Sequence, residues 1–418
     1  MWSRLAPAGN FSSPLAVLQT ALRVRAAKRS PSGSSRSAAE LERNLKDFSG
    51  ADNVTLTSDG KQALYWALLA AKALLGVRRV YLAGFTCPEI ASAAVKAGLR
   101  LHPLDVAQDS LQWEPGVTIP QADGAPGLLV LSNLFGLPDS IPTSISPEML
   151  VIDDACQSLL SLDQLNRRVG SRAALGIASF GRGKALSGIG GGALLFNNDH
   201  TLALPLKAAL KEAFSNREIA AGRWPGATDD VMLTMQEALK LTCYYTMEQP
   251  PLYGLISRIP GTGLGNVSCE LEFDEPRRSA GSWLSAVTQL EAAKNDIKHR
   301  RVLMQKWKQE LTGLPLHQIV SSDHDQALTV LTRFPLLFES RDQRNLALQL
   351  LNRQGLGASA SYNAALTEMP HLKPYIDQPH CPNSSSLAAR LITLPVHRFV
   401  TDKTIEQTSS ILKQVCKC

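Results

Sequence analysis

Short, wholly apolar runs alternate along this chain with stretches of helical periodicity, and no other feature limits the fold as strongly. Val80-Tyr81-Leu82, Leu128-Leu129-Val130-Leu131, Leu150-Val151-Ile152, Ile177-Ala178-Ser179-Phe180 and Ala193-Leu194-Leu195-Phe196 have the unbroken hydrophobicity of parallel strands buried on both faces. Among them, Lys61 to Leu75 and Pro88 to Ala97 read as helices. Such alternation implies an α/β fold, a mainly parallel sheet covered by helices. The 418 residues allow two domains. Pro31-Ser32-Gly33-Ser34-Ser35 is a flexible break that closes an N-terminal arm, residues 1–40. A large domain over 41–280 follows. It includes an irregular stretch from about Leu204 to Arg278, helices plus a long loop-rich excursion, marked by Trp224-Pro225-Gly226, Pro250-Pro251 and Pro260-Gly261. A long helix from about Ser282 to Glu310 leads into a smaller C-terminal domain, 281–418, ending near Val415.

Composition removes several classes of function. No apolar stretch approaches the roughly 20 residues of a membrane span. The net charge of +6 is mild, and no basic block with interleaved aromatics supports nucleic-acid binding. The seven cysteines are scattered and odd in number, with no CxxC pair, which reads as reduced thiols in a cytoplasmic protein. Neither they nor the eight histidines have metal-ligand spacing, so no metal is expected. The first 39 residues lack Asp and Glu but carry Arg4, Arg23, Arg25, Lys28, Arg29 and Arg36. This suits an organellar transit peptide, a basic interfacial helix with Leu15, Val17, Leu18, Leu22 and Val24 on its apolar side, or an arm docked on the protein or its partner subunit.

In open parallel sheets, ligands gather outside the carboxyl ends of the strands. Asp154 lies just past one apolar run and Lys184 just past another, with Gly190-Gly191-Gly192 beyond. A carboxylate, a hydroxyl at Ser179, an amine and a glycine tail, in this order, supply what pyridoxal phosphate requires. A phosphate-binding P-loop is excluded, because Ala178 stands at its first glycine and Ala185 follows the lysine. Ser58-Asp59-Gly60-Lys61-Gln62-Ala63-Leu64 opens a helix directly after the strand-like Asn53-Val54-Thr55-Leu56. It serves either as a phosphate-binding helix N-terminus or as a helix capped by Ser58 or Asp59.

With these residues the chain resembles the DegT/StrS-type aminotransferases from about Leu41 to the C-terminus. The resemblance rests on residues 58–64, Phe85-Thr86-Cys87, Asn133-Leu134-Phe135-Gly136-Leu137-Pro138-Asp139 and Ile152-Asp153-Asp154-Ala155-Cys156-Gln157. It extends to Ser179 to Lys184 with the glycine tail, and to Arg277-Arg278-Ser279, Gln289-Leu290 and Leu394-Pro395-Val396-His397. It implies a fold type I, pyridoxal phosphate-dependent transferase with a smaller α+β C-terminal domain. It implies that Lys184 binds the cofactor covalently and moves the substrate proton, and that Asp154 pairs with the ring nitrogen. Gln157 would meet the phenolic oxygen; Ser179 and the backbone of Gly60, Lys61 and Gln62 would hold the phosphate; and either Phe85 or Cys87 would lie against the ring face. Lys61 is either a cation at the phosphate or a solvated side chain. A glutamate-like donor, a keto-sugar acceptor that is nucleotide-linked, and a homodimer with shared active sites complete the expectation. In that dimer Arg277 or Glu275 approaches the other subunit's phosphate region. Sugar dehydratases of the family have histidine where Lys184 stands. Three departures mark a divergent branch: Lys61-Gln62 in the phosphate loop, Ile189-Gly190-Gly191-Gly192 where the family usually has Gly-Glu-Gly-Gly, and Glu275 in place of asparagine. A transaminase of a non-sugar or lipid-linked carbonyl and a non-catalytic protein of the same fold are the rival readings.

Overall fold

Seven strands form a mixed sheet flanked by helices, and three more form a small antiparallel sheet further along the chain. The computed structural model describes residues 3–9, 14–27, 33–113, 117–119, 126–142, 145–146, 149–215, 231–259, 269–274, 278–320 and 328–417. The chain opens with α1 (Pro14–Ala27) and α2 (Gly33–Ser49), then β1 (Asn53–Thr57), α3 (Gly60–Leu75), β2 (Arg79–Ala83), α4 (Pro88–Lys96) and β3 (Arg100–Leu104). Next come β4 (Leu128–Leu131), β5 (Leu150–Asp154), β6 (Leu175–Ser179) and β7 (Gly192–Phe196). They are followed by α5 (Ala203–Ser215), α6 (Val231–Met247), α7 (Pro250–Ile256) and the long α8 (Ala280–Glu310). The remainder holds β8 (His317–Gln318), β9 (Arg333–Leu337), α9 (Arg341–Arg353), α10 (Pro382–Arg390), β10 (Leu391–Pro395) and α11 (Asp402–Val415).

The large sheet runs β1-β7-β6-β5-β4-β2-β3. Strands β2 to β6 pair in parallel, as their unbroken apolar runs predict. Strand β7 does not. It pairs antiparallel with both β6 and β1, so Ala193-Leu194-Leu195-Phe196 is a buried antiparallel strand. A strand covered on both faces is equally apolar in either direction, so only the connection decides. Here Phe180 to Gly191 folds back as a loop, without the crossover helix that a parallel neighbour needs.

Between Leu204 and Arg278 the described residues are largely helical, through α5, α6 and α7. Pro250 and Pro251 occupy the first turn of α7, where a missing N–H costs nothing, so the proline pair starts this helix. Residues 216–230, 260–268 and 275–277 lie outside the described residues. Helix α8 joins two cores. Trp283, Ala286, Val287 and Leu290 pack beneath the large sheet, while Met304 and Trp307 pack with Phe334 and Phe338 beside the small one. Helix α1 docks on α8 through Val24, Ala280 and Leu284, with a 2.7 Å hydrogen bond between the Thr20 and Thr288 hydroxyls. Residues 3–9 are also docked, since Arg4 N donates to Pro250 O and Leu5 N to Gly355 O. No described helix is long and apolar enough to cross a membrane.

Candidate active site

The turn from β1 into α3 is built around Asp59, the N-cap, whose carboxylate accepts from Gln62 N at 2.8 Å. Gln62 folds its side chain back, and its Oε1 accepts from Ser58 N at 2.9 Å and Ser58 Oγ at 2.6 Å. Gln62 is committed to the cap, while among the described residues no acceptor takes the amides of Gly60 and Lys61. Side-chain space at this turn is absent. A Cβ on Gly60 would lie 2.7 Å from Ser179 Cβ and 2.8 Å from Cys156 Sγ, and one on Gly192 only 2.4 Å from the Asp59 carbonyl carbon. The glycine tail lets the strand end approach the turn, and Gly190, at φ +141°, also makes room for the Arg278 guanidinium. Arg278 Nε then donates to Ser58 O at 2.8 Å. Lys61 lines the cavity with its side chain mostly covered. Its ammonium lies 3.7 Å from Glu89 and 4.5 Å from the centroid of the Phe273 ring.

The adjacent carboxylates at the end of β5 have separate surroundings, because successive strand residues face opposite sides of the sheet. Asp153 is fully buried and takes a fork from Arg172, Nη2 to Oδ1 at 2.6 Å and Nε to Oδ2 at 2.9 Å, plus Gly170 N at 2.6 Å and Asn133 Nδ2 at 2.9 Å. Burial opposes its charge, but Arg172 prevails and holds the carboxyl below its usual range. Asp154 instead lines the cavity that contains Lys184. It accepts from Cys156 N at 2.9 Å, and burial raises its pKa. A carboxylate in this state gains from a cationic partner placed in the cavity.

Lys184 follows β6 in a tight loop, with Gly183 at φ +75° donating to Ser187 Oγ at 2.6 Å. Burial alone would lower its pKa, yet Cys87, Cys156, Glu89 and Asp154 together raise it. Cys87 is itself pushed up to about 11 by burial, so at neutral pH it is a thiol. Gln157 donates from Nε2 to Tyr362 Oη at 2.8 Å and accepts from Phe135 N at 3.2 Å, which fixes its amide orientation. Phe135 has left-handed backbone, φ +59°, a costly conformation retained where its N–H meets Gln157 and its carbonyl meets Thr332 N.

Gly60, Lys61, Cys87, Asp154, Gln157, Ser179 and Lys184 all line this one cavity. Phe85 does not; it is fully buried behind the cavity, edge-on to Tyr362 at 5.7 Å. Gln62 contributes only through the turn that it stabilises. Arg277 and Glu275 lie outside the described residues. Sequence reasoning missed Tyr362, Ser132 and the Asn133–Asp153–Arg172 network. Asn133 and Asp153 carried a signal, each as part of a recognised motif. Pyridoxal phosphate fits these residues: glycines leave a cradle that a Cβ would fill, two amides at a helix N-terminus lack acceptors, and Ser132 Oγ is buried on the cavity without a partner.

The profile of the DegT/DnrJ/EryC1/StrS aminotransferase family matches residues 21–208 and 284–413. Among solved structures, a Streptococcus pneumoniae protein described as a sugar aminotransferase in its PLP form is 14% identical, with 99% of each chain covered and a TM-score of 0.70. DesI, solved with its TDP-sugar product, is 17% identical over 100% of this chain and 93% of that one, with a TM-score of 0.69. 3-Amino-5-hydroxybenzoic acid synthase is 16% identical over 98% and 99%, with a TM-score of 0.70. At such identities these likenesses speak for the fold. No curated protein matches the sequence.

Proposed function

The chain belongs to the DegT/DnrJ/EryC1/StrS aminotransferase family, and from that premise we propose that it moves an amino group from a glutamate-like donor to a nucleotide-linked keto sugar, in polysaccharide or specialised sugar biosynthesis. The observation that carries the reading is a single cavity on which Lys184, Asp154, Gln157, Ser179 and Gly60 all open. Pyridoxal phosphate, when bound, supplies the electron sink that lets a carbon beside nitrogen lose its proton. The residues supply the rest. Asp154 would keep a proton on the ring nitrogen, Gln157 would donate to the phenolic oxygen, and Ser179 with the amides of Gly60 and Lys61 would hold the phosphate. Lys184 would hold the cofactor and would take up and return the substrate's proton. Its buried site excludes bulk water from that transfer.

The sugar acceptor is supported by the family and by the TDP-sugar product in DesI. A non-sugar carbonyl is the second reading, favoured by the likeness to 3-amino-5-hydroxybenzoic acid synthase. We also propose a cytoplasmic homodimer. A panel of nucleotide-linked keto sugars and aromatic or aliphatic ketones, supplied with glutamate and read by 2-oxoglutarate release, tests the proposal. Turnover with a keto sugar is expected. Turnover only with a non-sugar ketone establishes the second reading, and release with none overturns both.

A further inference from the structure

We infer that Asn133 is a positioning residue, whose side-chain amide clamps the end of β5 so that the Asp154 carboxylate stays aimed into the cofactor cavity. The inference rests on the aminotransferase reading above and names what holds that reading's carboxylate in place. The last residue of β4, Leu131, pairs with Asp153, and the chain then leaves the sheet for a turn at Leu134–Gly136. Asp154 is therefore paired on the β6 side alone, where Ala155 N donates to Ile177 O at 2.9 Å. On the β4 side its carbonyl meets no strand, and a backbone carbonyl turned from water needs a donor. Asn133 Nδ2 fills that place, donating to Asp154 O at 2.8 Å. The peptide between Asp154 and Ala155 is thus held at both edges, by β6 and by one side chain.

An amide suits this position as no other side chain would. Asn133 is buried, and its Nδ2 also donates to Asp153 Oδ1 at 2.9 Å. Its Oδ1 accepts from Asp139 N at 2.7 Å and from Arg172 Nη2 at 2.7 Å. Two acceptors face the nitrogen and two donors face the oxygen, so the amide has one orientation and uses its whole hydrogen-bonding capacity. Its backbone carbonyl is pinned as well, accepting from Ser158 Oγ at 2.6 Å. Arg172 is in turn locked to Asp153, so the clamp is mounted on a buried ion pair. The Asp154 carboxylate accepts from Cys156 N at 2.9 Å, two residues on, and so moves with the peptide that Asn133 holds. Misplacing such a group by about 1 Å costs on the order of 10²-fold in rate.

Holoenzyme of Asn133→Ala tests the inference beside wild type and beside Leu351→Ala, a control destabilised in the core next to the small sheet. A proton kept on the ring nitrogen opposes a further proton on the cofactor, so a slackened Asp154 should move the pH midpoint of the visible cofactor absorbance upward by about a unit or more. Release of 2-oxoglutarate from glutamate alone should slow about 10–100-fold, with the half-saturating glutamate concentration little changed. Leu351→Ala should lose stability in urea melts and keep the wild-type midpoint. An Asn133→Ala variant that does the same, or whose midpoint falls, overturns the inference. If Asn133→Ala does not fold, Ser158→Ala, which releases only the Asn133 carbonyl, is read by the same titration: a raised midpoint supports the clamp and an unmoved one overturns it. Wild type that develops no visible absorbance with pyridoxal phosphate overturns the aminotransferase reading itself, whereas an unmoved midpoint beside an active wild type overturns the clamp alone.

Discussion

Asp153 and Asp154 are adjacent in sequence, yet the strand turns one into the buried partner of Arg172 and the other into the cavity of Lys184. Their asparagine variants should therefore fail differently. Asp154→Asn should fold normally and lose activity by about 10²–10⁴, the scale of a lost electrostatic contact in catalysis. Asp153→Asn leaves Arg172 partly uncompensated and should cost about 3–5 kcal/mol of stability. Urea melts beside rate measurements decide, and normal stability with lost activity in Asp153→Asn would reverse the assignment. Gly60→Ala places a methyl where Ser179 and Cys156 stand and should weaken cofactor binding, read by titrating apoprotein with pyridoxal phosphate; unchanged affinity would show that the turn does not hold the phosphate. At this scale Lys184 and Asp154 were legible because each follows an apolar run at a strand's carboxyl end. Tyr362 was not legible. It lies 205 residues from Gln157, and only the placement of the C-terminal segment brings the two together. The choice between Phe85 and Cys87 also needed three dimensions, since both are apolar residues after one strand and their orientation depends on the turn.

Helices and strands were legible wherever the apolar pattern was long. Direction was not, and β7 shows why: burial on both faces leaves no periodic trace of the partner's polarity. The Pro250 helix was hidden for another reason, as paired prolines signal a break unless they fall in a first turn. One element-level contact gives a pH prediction. His397 is buried, and its ring nitrogen lies 2.9 Å from Ala6 O, which ties the N-terminal segment to the loop after β10. Burial lowers its pKa to about 4 from the ordinary 6.5, so the folded state excludes a proton that the unfolded chain takes up. Its contribution is complete above about pH 6.5 and is lost as pH falls towards 4, amounting to about 3 kcal/mol across that window. The difference in stability between wild type and His397→Asn should shrink on acidification over that range, as measured by urea melts at each pH. A difference independent of pH would remove the neutral imidazole from this role. Glu237 offers a second element-level test. Its carboxylate accepts from the backbone and hydroxyl groups of Ser279 and Ser282, holding α6 to the start of α8. Glu237→Ala should lose about 1–3 kcal/mol, the cost of leaving such groups unpaired.

Across the whole molecule, α6 is turned inside out. Its Thr234 and Glu237 are buried, while Met232, Met235 and Leu239 are exposed, as are Leu252 and Leu255 on α7. Apolar side chains on the outer side of a helix anchored by a buried carboxylate favour the proposed homodimer. Light scattering should give twice the 45.2 kDa chain mass, and Leu239→Lys should shift it towards the monomer. A fully active monomer would count against subunits sharing a site. The central claim concerns the chemistry at Lys184, and it is reached most directly with the donor alone. Holoenzyme mixed with glutamate, without any acceptor, should lose its visible cofactor absorbance and release 2-oxoglutarate in an amount equal to the sites. Lys184→Ala, still folded by circular dichroism, should release none. Release undiminished in Lys184→Ala, or no keto acid from wild type with any amino donor, would contradict the account.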